Sequence, residues 1–520
     1  MSITSSSSPL DVELGLKVRT ITGRDASGGS GGRDGGGVEE VLAAEPPEPL
    51  SPGARVLHSP LMDSFIICML GCNTRVDADV IKEGLKNTLI KHPRFSSKVV
   101  MNTNNGKKEA WIRTKVNVED HIIVPTLDPN MDNSDQFVED YVSDMTKTSL
   151  DPTKPLWELH ILNIKTSNAE SLGVFKIHHS LGDGMSLISL LLACTRKSSN
   201  PEELPSIPTA KSTSSSDKGG PYRCLIFVWL ILRLIWNTLI HFGLFVATAL
   251  FLTDTDTPIK GGKGVERSPK RIVHRIVCLD DIKLVKNEMN VTVNDVIVGI
   301  TEAALSRYLH RLYEEGSIDT KRKNSMKKIR FRASVIVNIR QSIGIQDLAA
   351  MMSEGSKCKW GNKIGYILVP FHLTLEKDPL QYIQRVKAMI DQKKLSLEAM
   401  LSYYVALFAL KVLGIKVAVG LAYRVLSNAT LMISNLVGPS EELAFYGHPG
   451  AYVAPTVSGL PTGLLIHFQS YMNKMSIIVC ASQDLYPDPH KLCDDFEESL
   501  RLMKEAIIQA KLKKESDNVV

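Results

Sequence analysis

Cysteine is scarce in this chain and poorly placed for chemistry. The eight among 520 residues are Cys68, Cys72, Cys194, Cys224, Cys278, Cys358, Cys480 and Cys493. Their spacing offers no zinc ligand set, so no metal site is expected, and a disulfide framework does not suit so long a chain. The one close pair, Cys68 and Cys72, lies in the apolar run FIICMLGC and reads as core. Charge of one sign is also lacking: 61 basic and 56 acidic residues leave a formal +5. The basic residues are scattered, without a stripe or interleaved aromatics, which argues against nucleic acid as a partner. A mild attraction to anionic membrane surfaces stays compatible with the balance. The opening MSITSSSSPLDVELG has no basic region followed by an apolar one, so no secretory signal is expected and the catalytic parts should face a reducing cytosol. No Gly-x-Ser-x-Gly occurs, so nothing resembles a nucleophile elbow.

What is present is a globular composition, 43% hydrophobic and 22% charged, at a length that suggests two or more domains. Residues 1–45 include SGGSGGRDGGG and read as a disordered segment. A first half is expected at 46–196. Its strands fall at 65–72, 95–101, 110–118, 155–164 and 172–181, and its helices at 77–89, 133–148 and 184–195. Residues 197–270 read as a Ser/Pro/Lys-rich linker followed by an apolar run at 224–253. A second half at 271–515 offers strands at 271–279, 329–339 and 430–439, a hairpin at 463–485, and helices at 294–309, 395–426 and 490–514. Both halves mix strands and helices without regular alternation, which points to two α/β layers sharing a cleft.

The stretch GVFKIHHSLGDGMSLISLLL, 173–192, carries the densest chemistry. A histidine at a strand end is most often a half-buried polar residue with a satisfied hydrogen bond. Two adjacent ones on a strand point to opposite faces, so His178 and His179 cannot serve one metal or one substrate together. The functional reading divides them: one faces a cleft as general base, the other packs inward. Asp183 sits where the strand turns into a helix and can fix that loop by an ion pair or hydrogen bonds. Gly184 permits the turn and keeps a side chain out of the cleft mouth. A base without a protein nucleophile suggests direct attack by an acceptor hydroxyl on an activated acyl group.

HHSLGDG resembles the HHxxxDG signature of condensation-type, CoA-dependent acyltransferases. PLSPGARVLHSP (49–60), PLWELHIL (155–162), NDVIVGI (294–300), GNKIGYILVP (361–370) and SNLVGP (434–439) resemble, in order, the wax ester synthase/diacylglycerol acyltransferase family in its plant form. The resemblance covers roughly residues 48 to 510. It implies two chloramphenicol-acetyltransferase-like, mixed-sheet halves around a central cleft, with His179 as catalytic base and Asp183 as its structural support. It also implies fatty acyl-CoA as co-substrate without a cofactor, and a long-chain alcohol or diacylglycerol as acceptor. His178, Gly184, Asn294, Asp295, Ser434 and Asn435 are then supporting site residues, and Trp157 lines the substrate channel.

Several of these residues have plainer readings. Asn294-Asp295 suits an N-cap followed by a first-turn acid. Ser434-Asn435 suits a turn before Gly438-Pro439, or else supplies an oxyanion donor from the second half. Trp157 suits a core wall, and Gly361-Asn362 has no mechanism beyond the resemblance. The apolar run 224–253 is long enough to span a bilayer, but a single crossing would separate His179 from Asn294 and Ser434. It is therefore expected to lie in the interface or re-enter, and the weaker candidate at 403–426 is expected to be a buried core helix. The resemblance places the protein on the cytosolic face of the endoplasmic reticulum membrane, with the plasma membrane as a second site. The alternatives are a soluble acyltransferase acting on a plant secondary-metabolite hydroxyl, disfavoured by the apolar run and the missing Asp-Phe-Gly-Trp-Gly motif, and a catalytically silent lipid-binding relative.

Overall fold

The computed structural model describes residues 46–101, 109–200, 203, 205, 222–315, 329–340 and 360–517. The expected disordered segment 1–45 and most of the Ser/Pro/Lys-rich stretch lie outside the described residues. In the first half, β1 (Phe65–Cys72) is buried on both faces. Asp77 caps α1 (Ala78–Asn87) by accepting from the Asp79 and Val80 amides, and Ile81 and Leu85 turn inward. The helix stops short of Leu89, and 3₁₀ turns at Leu89–Lys91 and Pro93–Ser96 follow. Phe95 therefore sits in a turn, not in the expected strand, because Pro93 starts a helical turn and the Ser96 and Ser97 hydroxyls bond back to the His92 and Pro93 carbonyls. Short strands at Ser97–Val100 and Ala110–Arg113 fall within the expected 95–101 and 110–118, and a helix covers Pro52–Leu57. The elements used below are β2 (Ile122–Ile123), α2 (Ser134–Asp144), β3 (Trp157–Leu162), β4 (Ser171–His178), α3 (Gly184–Ala193) and β5 (Thr195–Lys197).

The apolar run forms α4 (Tyr222–Leu250). The second half then contributes β6 (Lys270–Cys278), α5 (Leu279–Met289), α6 (Val293–Glu315), β7 (Phe331–Asn338), β8 (Ile364–Phe371), α7 (Leu380–Lys394), α8 (Glu398–Phe408) and α9 (Ile415–Asn428). It ends with β9 (Leu431–Leu436), β10 (Leu443–Phe445), β11 (His448–Ser458), the hairpin β12 (Leu464–Tyr471) and β13 (Lys474–Ser482), and α10 (Pro489–Asp517). Besides a small sheet of Glu48–Pro49, Ala110–Arg113 and Ser97–Val100, one mixed sheet has the order β2-β3-β4-β1-β11-β10-β5 and another β8-β7-β9-β12-β13-β6. The expected α/β architecture is thus present, but the chain does not divide cleanly at its linker.

The sequence pattern did not reveal β10 and β11. They cross back into the first half's sheet, where β11 pairs with β1 from Phe65↔Ser458 to Cys72↔Gly450. Prolines in HPGAYVAPTVS argue against a sheet-interior strand. Pro455 is tolerated because β10 pairs only with His448 and Pro449, leaving the other edge of β11 free of ladder bonds at that point. A core cluster between the two sheets, including Ile67, Val174, Ala454, Leu465 and Ile478, joins the halves. At the periphery, Arg271 of β6 pairs with Glu139 and Asp140 of α2, and the Ile272 amide donates to Ser143.

The region expected to be helical at 395–426, and a buried core helix over 403–426, is neither continuous nor buried throughout. It breaks at a π-helical turn, Ala409–Leu413, and at Gly414, whose φ is +83°. One side of α8 closes the free edge of β8, with Glu398 and Ser402 accepting from the Leu368 and Tyr366 amides. The other side leaves Met400, Tyr404, Phe408, Val412, Leu413 and Val417 exposed. Beside it, the C-terminal part of α4 docks through Phe245 and Ala249 against Leu368 and Val425. Asn237 donates to the Gln392 and Leu395 carbonyls, capping the end of α7.

Candidate active site

The strand β4 ends at His178, and the backbone then turns away from the sheet. The His178 amide still bonds the Leu156 carbonyl, the His179 amide bonds Ser64, and Leu181 N closes a turn onto His178. The adjacent imidazoles consequently face apart. His178 has its Nε2 at 2.8 Å from Asp63 and its Nδ1 at 2.7 Å from the Ser180 hydroxyl, with its ring stacked on His58. His179 instead lines a cavity of about 510 Å³ between the two halves. Its Nδ1 is sealed without a strict hydrogen bond, so Nε2 is the nitrogen turned to the cavity. Burial holds the His179 imidazole below its usual range, opposed by its own backbone, the Asp183 carboxylate and Asn362.

Asp183 caps α3 and does not touch the imidazole. One carboxylate oxygen accepts from the Ser186 amide and hydroxyl; the other accepts from Arg340 Nη1 at 2.6 Å and the Lys363 amide at 2.9 Å. Arg340 and Asp183 are both almost fully buried, so this is a desolvated ion pair joining the halves. Trp360 donates to the Leu181 carbonyl, and Asn362 Nδ2 donates to the His179 carbonyl at 3.0 Å. Gly184 lies at the cavity, and a Cβ there would meet Leu436 of the opposite half at 2.9 Å.

The first half's wall of the cavity is apolar. Alternate residues Ile66, Cys68 and Leu70 of β1 and Ile177 and Phe175 of β4 run away from His179 beneath α3, ending near Leu85, Leu89 and Cys194. From His179 to Phe175 is four strand residues, roughly 13 Å. The second half's wall carries the polar groups Asn338, Ser434, Asn435, His467 and Gln469 among apolar ones such as Ile336, Leu436 and Val437. Ser434 and His467 are register partners on the parallel pair β9–β12. His467 Nδ1 lies 3.2 Å from the Thr456 hydroxyl, and burial pushes this imidazole down to about 3.

Two expected residues stand elsewhere. Trp157 is not a channel residue: it is fully buried, donates to the Phe95 carbonyl at 3.0 Å and stacks on His121, away from the cavity. Asp295 also stays off the cavity. It shares a capping box with Thr292, the residue that caps α6 in place of Asn294. Asn294 reaches the rim by pairing with Asn435. Sequence reasoning singled out Asn362 without a mechanism and missed Arg340, Trp360, His467 and Gln469. For the last two a signal existed: GLLIHFQSY alternates polar and apolar residues, placing His467 and Gln469 on one strand face. Arg340 had none, since its partner lies 157 positions earlier.

Comparison with known proteins gives consistent results. The model of the wax ester synthase/diacylglycerol acyltransferase catalytic domain matches residues 72–297, and that of the WS/DGAT C-terminal domain matches residues 360–504. The wax ester synthase/diacylglycerol acyltransferase 11 of Arabidopsis thaliana is 50% identical over 467 residues, covering 89% of this chain and 96% of its own. Number 5 of the same plant is 51% identical over 476 residues, covering 88% and 94%. Among solved structures, a wax ester synthase/diacylglycerol acyltransferase from Marinobacter aquaeolei VT8 superposes with a TM-score of 0.55 at 17% identity, covering 88% of this chain and 99% of that one. The first condensation domain of the calcium-dependent antibiotic synthetase gives 0.54 at 12% identity, covering 89% and 96%. These two establish the fold.

Proposed function

The chain belongs to the wax ester synthase/diacylglycerol acyltransferase family and is an acyltransferase by that membership; on this premise we propose that His179 Nε2 is the base of the transfer. The reading rests above all on the place of His179 in the cavity, where an apolar wall meets a polar one. The acyl chain of fatty acyl-CoA lies along the apolar wall. His179 removes the proton from the hydroxyl of a long-chain alcohol or diacylglycerol as that oxygen attacks the thioester carbonyl. A C–O bond forms and the carbonyl electron pair moves to oxygen, within reach of donors on the polar wall such as Ser434, Asn435 or His467. Collapse breaks the C–S bond, and the departing thiolate recovers the proton from His179, giving ester and free CoA. Acyl-CoA is thus a co-substrate, and the transfer uses only side chains.

The acceptors and acyl chains dissolve poorly in water, and the protein offers a surface suited to reach them. Among the described residues one helix, Leu225–Leu250, is long and apolar enough to cross a membrane. Its first part is exposed on nearly all sides while its second part is docked on the second half. No carboxylate occurs in residues 222–253 or 399–428, whereas Arg223, Arg233, Lys411, Lys416 and Arg424 do. Together with the exposed side of α8 and α9, this makes a broad apolar surface carrying only positive charge, fitted to an anionic lipid interface. We place it on the cytosolic face of the endoplasmic reticulum. The deciding experiment is labelled acyl-CoA turnover by membranes expressing the protein, with a panel of alcohols and diacylglycerol. Labelled ester from wild type but not from His179→Ala supports the reading; no ester from any acceptor refutes it.

A further inference from the structure

His179 and Asn362 come from opposite halves, yet each carries a buried polar atom without a strict hydrogen bond: Nδ1 of the histidine and Oδ1 of the asparagine. The two residues already touch, since Asn362 Nδ2 donates to the His179 backbone carbonyl at 3.0 Å. That bond settles which way the amide faces. A backbone carbonyl can only accept, so the amide edge turned to it must be the NH₂. Oδ1 is then an acceptor closed to water, and in this structure it has no partner. An acceptor so placed is satisfied only by a donor, and His179 Nδ1 becomes one when it carries the proton of the neutral ring. Asp183 cannot take this role, because its oxygens are engaged by Ser186, Arg340 and the Lys363 amide. The other acceptor acting on the ring is the His179 backbone carbonyl, which already receives Asn362 Nδ2. Asn362 is also among the groups that raise the imidazole's pKa, as an acceptor facing an N–H would.

We propose that Asn362 is a positioning residue that fixes the tautomer of His179: Oδ1 accepts from Nδ1–H and leaves Nε2, facing the cavity, unprotonated and ready to take a proton. The bond shortens when substrate fills the cavity, as such contacts commonly do on forming the Michaelis complex. Because Asn362 belongs to the 360–363 segment that clasps the Leu181, Asp183 and Ser186 positions, the tautomer is set only while the halves are closed on each other. The inference deepens the reading of His179 as base and rests on it for its catalytic meaning, but the tautomer can be read without any turnover.

Three forms of the full chain test it: wild type, Asn362→Leu and Asn362→Asp, with thermal unfolding as the check on folding. Nitrogen-15 NMR of histidine-labelled protein, with the His179 signals identified by their loss in His179→Gln, should show Nδ1 protonated in wild type and the other tautomer gaining population in Asn362→Leu. The Leu variant should lose kcat on the order of 10²-fold, the lower end of what a general base supplies, with KM nearly unchanged. In Asn362→Asp a carboxylate faces the ring and favours the imidazolium, so the acid limb of kcat/KM should move to higher pH. A wild-type His179 protonated at Nε2, a folded Leu variant with unchanged kcat, or an unmoved acid limb in the Asp variant would each overturn the proposal. If wild type transfers no acyl group, the reading of the site fails, while the NMR result still decides the tautomer.

Discussion

On the first half's side the cavity meets Ile66, Cys68, Leu70, Phe175 and Ile177; on the second half's side it meets Asn338, Ser434, His467 and Gln469. Both walls are sheet faces, built by the same period of two and both turned toward the contact between the halves. Burying apolar side chains there needs no special explanation. Polar groups on a face enclosed to this degree cost free energy unless they find partners, so their concentration on the second half's wall, among apolar neighbours such as Ile336 and Leu436, suits that wall to polar atoms of a ligand. On the function proposed above, the long hydrocarbon lies against the first half and the reacting oxygens against the second. His179 is the exception that the apolar half contributes.

The strongest way to break this comparison is to remove that exception. His179→Ala should lower turnover about 10²- to 10⁴-fold in a protein of unchanged melting temperature. His178→Ala, whose ring bonds Asp63 and Ser180 outside the cavity, should lower stability and leave kcat near wild type. Equal kcat losses in two well-folded variants would show that the adjacent imidazoles are not divided in function.

Next comes the joint between the walls. Asp183→Ala leaves Arg340 buried without its counter-charge and should cost roughly 3–5 kcal/mol in denaturant unfolding, as broken buried pairs do. Asp183→Asn keeps one acceptor oxygen, enough for Ser186 or for the Lys363 amide but not for both, and should lose less. A third substitution makes the polar wall resemble its opposite: His467→Leu should reduce kcat by up to about 10²-fold if this wall stabilises developing charge. A change in KM alone would confine the polar wall to binding.

Acid should sharpen the contrast through His92 and His467, whose imidazoles burial pushes down to about 3 from an ordinary 6.5. Between those values the unfolded chain binds the protons and the folded one does not, so stability is complete above pH 6.5 and is lost as pH falls below it. At pH 5 the loss is about 2 kcal/mol per histidine. Unfolding free energies that stay level from pH 7 to pH 5 would contradict this. The acid limb of kcat/KM should likewise fall below pH 6.5, because burial lowers the His179 pKa. The smallest effects belong to the outer surface. Replacing exposed Leu232, Trp236 and Leu239 by Ser should shift protein from membrane to soluble fractions, each change removing about 1–2 kcal/mol of burial in lipid. Phe245 is unsuited to that test, since it packs inside the protein.

Local signals were legible wherever a few neighbouring residues settle the outcome. FIICMLGC could be little but a buried strand, Asp77 little but a helix cap, and HHSLGDG had to turn its two imidazoles apart. The alternation in GLLIHFQSY was present too, but whether that face met a core or a cavity depended on what the other half placed opposite it. Trp157 went wrong for the same reason: an aromatic near a motif has no direction until its neighbours are known, and here they are Phe95 and His121.

By itself the sequence determined the α/β class, the apolar character of α4 and the turn that separates His178 from His179. These follow from periodicity and capping, which act over a few residues. Tertiary structure alone decided that β10 and β11 return to the first half's sheet, and that the 395–426 region bends and exposes one side. It also decided that Arg340 neutralises Asp183 and that Asn362 meets His179. Each of these joins groups more than a hundred positions apart or depends on which face another element covers. Desolvation and hydrogen-bond satisfaction act on whatever lies within a few ångströms, and sequence distance does not enter them.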